Sequence, residues 1–402
     1  MTQRITFGNR IYPWLLVLLP VICQYQVGPL DLDVLVMLAF LVGTLLFGKY
    51  IYLTSFNRWI LVIIAYILLV TGGNLLMGQK YSPNGDIILR MGRYCLYLFI
   101  VFFLGNEKIS YESLMRAYRI IAFIATSYLI LQAIFFYSTG IILPNKIGAV
   151  SVEGGNAEVG RLRSFYSEPS VFGYTMVPFV TCSLLGDTYK RNGKGGSLDA
   201  IFVTVGIVLS TSGQGILAVG VVWAFWLILR IARREFKIKD FALLLAICIA
   251  GVVLYSSGVL KYALDRSANT NEGGAIDARL SGYVALQLLT PMQRVFGAGF
   301  GNYVVENAFG LDVFYEFVNY SSISEFLFTL GIVGTGIWLA FFVKIFCRGT
   351  LCVKVLLIVM GVLGVTGCPL TGILFPLWLT LICVQLPRGI FSCKCTRELD
   401  QT

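Results

Sequence analysis

The residues best suited to chemistry are a few arginines, glutamates and tyrosines in polar segments between apolar runs. Arg161 and Arg163 stand just before Glu168 and Pro169, and the sequence predicts a helix there with Ser167 as its N-cap. Two guanidinium groups beside a helix N-terminus are suited to holding a phosphate. A simpler interpretation stays open, in which Glu168 complements the helix dipole and the arginines meet lipid headgroups.

A second polar segment, 276–303, predicts an amphipathic helix that lies over the rest of the protein and stops at Pro291. The apolar residues at helical spacing are Ile276, Leu280, Val284 and Leu288. Arg279 and Tyr283 are four residues apart, so they share one face. GAGFG (297–301) lacks the spacing of a nucleotide-binding loop. It predicts a tight turn, either a plain one or one that lets the backbone approach a ligand.

Three further charged residues lie in or beside apolar runs. Arg90 and Arg93 lie on one side of a predicted helix near its end, where ionisable groups are costly and usually face a cavity or a partner. Snorkelling to the headgroups is the alternative. Glu325 begins another run, where it can act as a general base or pair with an arginine. The chain has no histidine, which excludes Ser-His-Asp and Cys-His arrangements.

The ten cysteines favour neither disulfides nor a metal site. Most lie inside apolar runs and none lies in the two long polar segments, so no disulfide framework is predicted. Cys393 and Cys395 form a CxC pair without a second pair or a histidine nearby. We therefore predict no metal and no cofactor.

The composition identifies the elements that must position these residues. Hydrophobic residues make up 57% of the 402 residues and charged ones only 13%, against about 25% in soluble domains. This predicts an all-α polytopic transmembrane bundle of about 12 spans, since each span needs roughly 20 apolar residues. The apolar runs lie at 11–27, 32–53, 59–77, 86–104, 118–139, 169–187, 198–211, 214–231, 241–260, 323–346, 351–367 and 370–386. The seventh and eighth flank STSGQG (210–215) and form the least certain pair, because one broken or re-entrant unit fits them equally.

The distribution of basic residues predicts the orientation. If the N-terminus is cytoplasmic and every run spans, cytoplasmic segments hold 21 of the 31 basic residues. Both termini are then cytoplasmic, and the net charge of +10 needs no nucleic acid to explain it. The long segments 140–168 and 261–322 become extracytoplasmic loops of a single integral membrane domain, 1–402.

Three stretches together resemble the O-antigen polymerases (Wzy-type) and, more distantly, the O-antigen ligases. They are RLRSFYSEPSVFG (161–173), Arg279 with the GAGFGNY turn after it, and LGIVG (330–334). STSGQG also resembles a Ser/Gly-rich break of these families. The layout of two outer loops, the second larger, extends the resemblance over nearly the whole chain.

The resemblance implies a metal-independent glycosyltransferase in the bacterial inner membrane. Its substrates would be oligosaccharide repeat units on undecaprenyl diphosphate, joined at the periplasmic face into O-antigen or a related polysaccharide. Arg163 and Arg279 match the families' essential loop arginines. A chain-length regulator and a flippase are implied as partners, together with membrane lipid.

The chemistry of the transfer adds expected roles. Arg163 and Arg279 would stabilise the departing diphosphate, with Arg90, Arg93 and Arg161 as further binding candidates. Glu168 or Glu325 would activate the acceptor hydroxyl. The aromatic side chains of Phe165, Tyr166, Tyr283 and Tyr303 would stack on sugars or simply pack.

A ligase and a transporter are the two alternative functions. A ligase would carry a histidine where this chain has Tyr320, Ser321 and Ser322. A lipid-linked oligosaccharide flippase or other transporter would place polar groups at the midplane and break its helices. STSGQG and Arg93 are the features that favour a transporter.

Overall fold

The computed structural model describes the chain in segments that are almost entirely helical. These are residues 7–27, 30–47, 55–106, 109–141, 143–146, 162–186, 196–236, 275–304 and 318–386, with the single residues 238, 241 and 256. The helices are α1 Phe7–Ile22, α2 Leu32–Phe47, α3 Ser55–Leu76, α4 Asn84–Asn106, α5 Tyr111–Thr139, α6 Pro169–Leu185, α7 Gly196–Leu209, α8 Gly213–Ala232, α9 Ala275–Val284, α10 Pro291–Phe296, α11 Ser322–Arg348, α12 Leu351–Thr366 and α13 Phe375–Val384. A two-residue antiparallel pair, β1 Gln26–Val27 with β2 Leu30–Asp31, precedes α2.

Five of these helices are long and apolar enough to cross a membrane. They are α3, α4 through Leu104, α5, α8 and α11, and six shorter apolar helices accompany them. Every predicted apolar run except 241–260, which lies almost wholly outside the described residues, contains a helix. The chain is thus a helical membrane protein, while the count of about 12 spans stays a prediction.

The chain divides into two compact units. The first combines Met1–Leu114 with Asp277–Thr402, and the second is Met115–Ile276.

In the first unit, connections that are distant in sequence meet at one end, which we call the capped end. Asn302 there accepts a hydrogen bond from the Tyr81 backbone N–H (2.6 Å) and donates to Gln79 O (2.9 Å). On the same end, Ser322 N–H donates to Gly367 O (2.7 Å). The segments involved all fall on one predicted side of the bilayer, so the grouping agrees with the predicted alternation of the spans.

Helix α11 is broken inside its span at Gly331. This residue has φ 64° and ψ −170°, a region that essentially only glycine occupies. A break leaves helix carbonyls without their usual donors, which is expensive at membrane depth unless other groups supply hydrogen bonds. Ala298 N–H donates to Phe328 O, and Gly299 N–H donates to Thr329 O, both at 2.9 Å.

Tyr66 of α3 also hydrogen-bonds backbone carbonyls at this break. Its hydroxyl lies 3.0 Å from Leu330 O and 2.9 Å from Phe296 O, within hydrogen-bonding distance of both carbonyls. The hydroxyl therefore supplies a donor to Leu330 O, a carbonyl at the break.

The GAGFG turn supplies the N–H groups that bond the α11 carbonyls, because its glycines allow close backbone contact. Gly297, Gly299 and Gly301 all have positive φ. A Cβ at Gly299 would lie 2.9 Å from Thr71 Cα, and one at Gly301 would lie 2.8 Å from Ile87 O. The structure shows the predicted tight turn, packed closely on this chain's own helices, with Gly301 O accepting from Arg90. The role in approaching a ligand stays a prediction.

Helix α9 packs through a different face from the predicted one. Leu280 is 49% exposed, whereas Ser281, Gly282 and Ala285 are buried. The predicted apolar face is therefore wrong at Leu280, because small residues bring the α9 backbone against Asn319 and Tyr320. The helix also ends before its predicted stop: a 3₁₀ turn, Ala285–Leu288, follows it, and Pro291 begins α10 under a Thr290 capping box.

In the second unit, α6 is the central helix, buried along nearly its whole length. Its N-cap residue is Glu168, so the prediction of Ser167 as the cap is wrong by one position. Helices α7 and α8 are joined by a tight turn in which Thr211 has φ 54° and Ser212 Oγ accepts from Gly215 N–H (3.2 Å). STSGQG therefore forms a helix end and a cap, and Gly215 lets α8 approach Gly173 of α6 closely.

Candidate functional site

Arg90 lies at the capped end of the first unit. Its guanidinium carbon lies 4.7 Å from the centroid of the Tyr303 ring, and Nη1 donates to Gly301 O at 3.4 Å. Asp86, one turn earlier, approaches Nη2 at 4.0 Å, and both side chains are partly exposed. Since such exposed pairs are weak, Arg90 keeps most of its capacity to bind an anion. Its predicted binding role stays a prediction.

Glu325 lies in the first turn of α11, beside this arginine. It is 7% exposed, hydrogen-bonds the side chain of Thr371 and interacts electrostatically with Arg90. Burial raises the pKa of the neighbouring Tyr303, and the Glu325 carboxylate raises it further while Arg90 opposes the shift. Tyr303 is therefore a neutral phenol at physiological pH. The cluster joins a guanidinium, a buried carboxyl group and a neutral hydroxyl.

Helix α9 brings Arg279 to the same end of the first unit. Arg279 lies one turn before Tyr283, whose hydroxyl accepts from Ser321 Oγ at 3.2 Å. A Cβ at Gly282 would lie 2.6 Å from Ser324 Oγ, so α9 is seated directly on the start of α11. The backbone of Arg279 is described, but its side chain lies outside the described residues. The structure thus brings the segments carrying Arg279, Tyr283 and Glu325 together.

Arg93 is engaged differently from Arg90. Its Nη2 atom lies 2.6 Å from Asp31 Oδ2 and 2.8 Å from Asp33 Oδ1, and Asp33 is fully buried. The hydroxyl of Tyr97 donates to the other oxygen of Asp33 at 3.3 Å. Of the alternatives for an intramembrane arginine, this geometry shows pairing with a partner. The two carboxylates balance its charge, while its Nε is buried without a hydrogen-bond partner among the described residues. Its predicted role in substrate binding stays a prediction.

We expect Arg93→Met to act on stability rather than on substrate affinity. The substitution leaves Asp33 buried without its counter-charge, which should lower the free energy of unfolding by about 3 kcal/mol. Thermal unfolding of the purified protein in detergent measures this loss. Arg90→Met is the matched control and should unfold close to wild type while losing activity. Equal stability of the two variants would contradict the assignment.

Arg163 and Glu168 lie together in the second unit. Nη1 of Arg163 donates to Ser167 O at 2.8 Å, while Nε is buried without a hydrogen-bond partner among the described residues. Burial lowers the pKa of the Arg163 guanidinium, and Glu168 partly offsets this. The Glu168 carboxylate is exposed and accepts from Ser170 Oγ at 2.8 Å. A half-buried guanidinium with an unused donor suits an anion.

The remaining predicted residues of this segment have packing contacts. Phe165 stacks on Tyr128 with ring centroids 4.3 Å apart, and Tyr166 is fully buried against Phe172. Ser164, at φ 54°, donates from its hydroxyl to Ala125 O at 2.7 Å and so fixes the turn on α5. The burial of Tyr166 favours packing over stacking on a sugar. Arg161 lies outside the described residues.

Several residues that hold the site were not predicted from the sequence. Asp31 and Asp33, the partners of Arg93, were detectable as acids at the mouth of an apolar run. No sequence signal pointed to Thr371, which hydrogen-bonds Glu325. None pointed to Tyr66, which hydrogen-bonds Leu330 O at the α11 break. Within the described residues, no three metal-ligating side chains come together.

The fold and site define a class: a helical membrane protein with arginines, a buried glutamate and tyrosines collected at one end of its first unit. No protein-family model matches the chain, and no curated protein matches it at a significant level. The resemblance to polysaccharide polymerases therefore rests on the quoted motifs. Two of them, GAGFGNY and LGIVG, form one packing unit around the break in α11.

Proposed function

We propose that this protein is a polysaccharide polymerase of the bacterial inner membrane. It joins undecaprenyl-diphosphate-linked oligosaccharide units at the periplasmic face into O-antigen or a related surface polysaccharide. The observation that carries the proposal is the cluster at the capped end, where Arg90, Tyr303 and Glu325 lie beside the helix that bears Arg279.

The chemistry of this cluster suits transfer from a diphosphate. The acceptor hydroxyl oxygen bonds to the anomeric carbon, and the bond between that carbon and the diphosphate oxygen breaks. The diphosphate leaves with the electron pair, and preplaced guanidinium groups stabilise its growing charge. The hydroxyl proton passes to a carboxylate. Glu325, buried beside Arg90, suits this role better than the exposed Glu168.

The features that favoured a transporter have structural roles. Arg93 is paired with two aspartates, and STSGQG ends one helix and caps the next. The break in α11 has its carbonyls hydrogen-bonded by the GAGFG turn and by Tyr66 rather than left to line a path. These observations support an enzyme over a flippase.

Deletion of the gene tests the proposal in cells. Without a polymerase, single repeat units should still reach the final acceptor, so the polysaccharide ladder should collapse to its first step. Loss of every attached unit would instead identify a ligase. An unchanged ladder, or accumulation of units on the cytoplasmic side, would contradict the proposed function.

A further inference from the structure

A groove at the end of the first unit opposite the capped end is not used by the proposed function. It lies between the first turn of α3 and the last turns of α11, where Ser55, Trp59 and Lys344 meet. Its floor is formed by the buried side chains of Phe56, Phe341, Ile345 and Leu386.

Lys344 places a positive charge at this apolar groove. Its Nζ donates to Ser55 Oγ at 3.0 Å and lies 5.5 Å from the centroid of the Trp59 ring. Across the part of the chain that the structure describes, no carboxylate lies within 4.0 Å of this ammonium. An external anion would stabilise this half-buried cation, since the described residues around it supply only a hydroxyl and a ring face.

The position of the groove indicates which class of anion it would bind. Both α3 and α11 are candidate membrane spans, so their ends lie at headgroup depth, where tryptophan is enriched. Basic pockets between spanning helices bind anionic lipid headgroups, and the predicted orientation puts this end on the cytoplasmic side. A lipid combines the two chemistries of the groove, because its phosphate matches Lys344 and its chain matches the apolar floor.

We propose that this groove binds one anionic phospholipid. The phosphate contacts Lys344 and Ser55, and an acyl chain lies along Phe56 and Phe341. The site is separate from the proposed catalytic end and does not depend on the proposed activity.

Native mass spectrometry of the full-length protein tests this directly. With phosphatidylglycerol and phosphatidylcholine of identical acyl chains, wild type should retain one phosphatidylglycerol more tightly than any phosphatidylcholine. Lys344→Gln should weaken that lipid about five- to tenfold, as expected for the loss of one basic contact at a membrane surface. Lys344→Arg should retain it.

Lys354→Gln is the matched control. Lys354 also lies over an aromatic ring, 5.7 Å from the Phe346 centroid, but it does not line the groove, so its replacement should leave the lipid in place. Equal loss in both variants, or unchanged retention in Lys344→Gln, would overturn the proposal. If Lys344→Gln fails to fold, the wild-type measurement alone tests the proposal. Equal binding of the two lipids to wild type, or complete displacement of the lipid by inorganic phosphate, would exclude a phospholipid site.

Discussion

Replacement of Arg279 by alanine should abolish chain elongation while the protein still folds. The proposed transition state puts negative charge on the leaving diphosphate, and removing one preplaced donor typically costs 10²- to 10³-fold in rate. We expect a loss of about that size in the rate of polymer formation, with single units left unextended. The length distribution of polysaccharide from cells producing equal amounts of each variant measures it.

Arg294→Ala provides the control for this experiment. Arg294 lies in α10 of the same polar segment, and its Nε donates to Leu289 O at 3.2 Å. The Arg294→Ala substitution removes an equal charge from the same polar segment, but we assign Arg294 no part in the site. Normal ladders in Arg279→Ala, or equal losses in both variants, would contradict the role given to Arg279.

Gly331→Ala should strongly destabilise the protein. The residue adopts φ 64° and ψ −170°, and a Cβ there would lie 2.5 Å from Gly297 N and from Val295 O. Backbone strain of roughly 1–3 kcal/mol adds to overpacking of similar size. We expect about 3–5 kcal/mol lost from the free energy of unfolding, seen as lower melting temperature or failure to purify.

Gly336→Ala is the matched control for this substitution. Gly336 lies in the same helix, and a Cβ there would meet nothing within 4 Å. Its replacement should leave the melting temperature unchanged or slightly raised, because alanine is the better helix former. Two variants of equal stability would show that α11 is continuous at Gly331.

Hydrophobic runs and turn residues allowed much of the fold to be predicted. Helices lie where the apolar runs predict them, because burial in lipid leaves the backbone few other ways to satisfy its hydrogen bonds. The break at STSGQG was located correctly, since glycine and serine are typical of a helix end followed by a cap. The buried face of α9 was predicted incorrectly at Leu280, because the helix packs through Ser281 and Gly282 instead.

The candidate site was predicted in its residue types but not in its pairings. Sequence placed Arg90 and Arg93 on one helix face and gave them one role, whereas the structure pairs only Arg93 with two aspartates. Long-range partners such as Asp33 and Thr371 depend on how helices pack, which local patterns do not encode. Glycines 297 and 331 were recognised as motif positions, but their joint packing emerges only in three dimensions.

Reconstitution of the purified protein in liposomes with lipid-linked repeat units tests the central claim most directly. The proposed polymerase should convert single units into a ladder of longer lipid-linked chains, releasing one undecaprenyl diphosphate for each bond formed. Arg279→Ala should leave the units unextended in the same vesicles. Units that cross the bilayer without lengthening, in wild-type vesicles with correctly folded protein, would contradict the proposal.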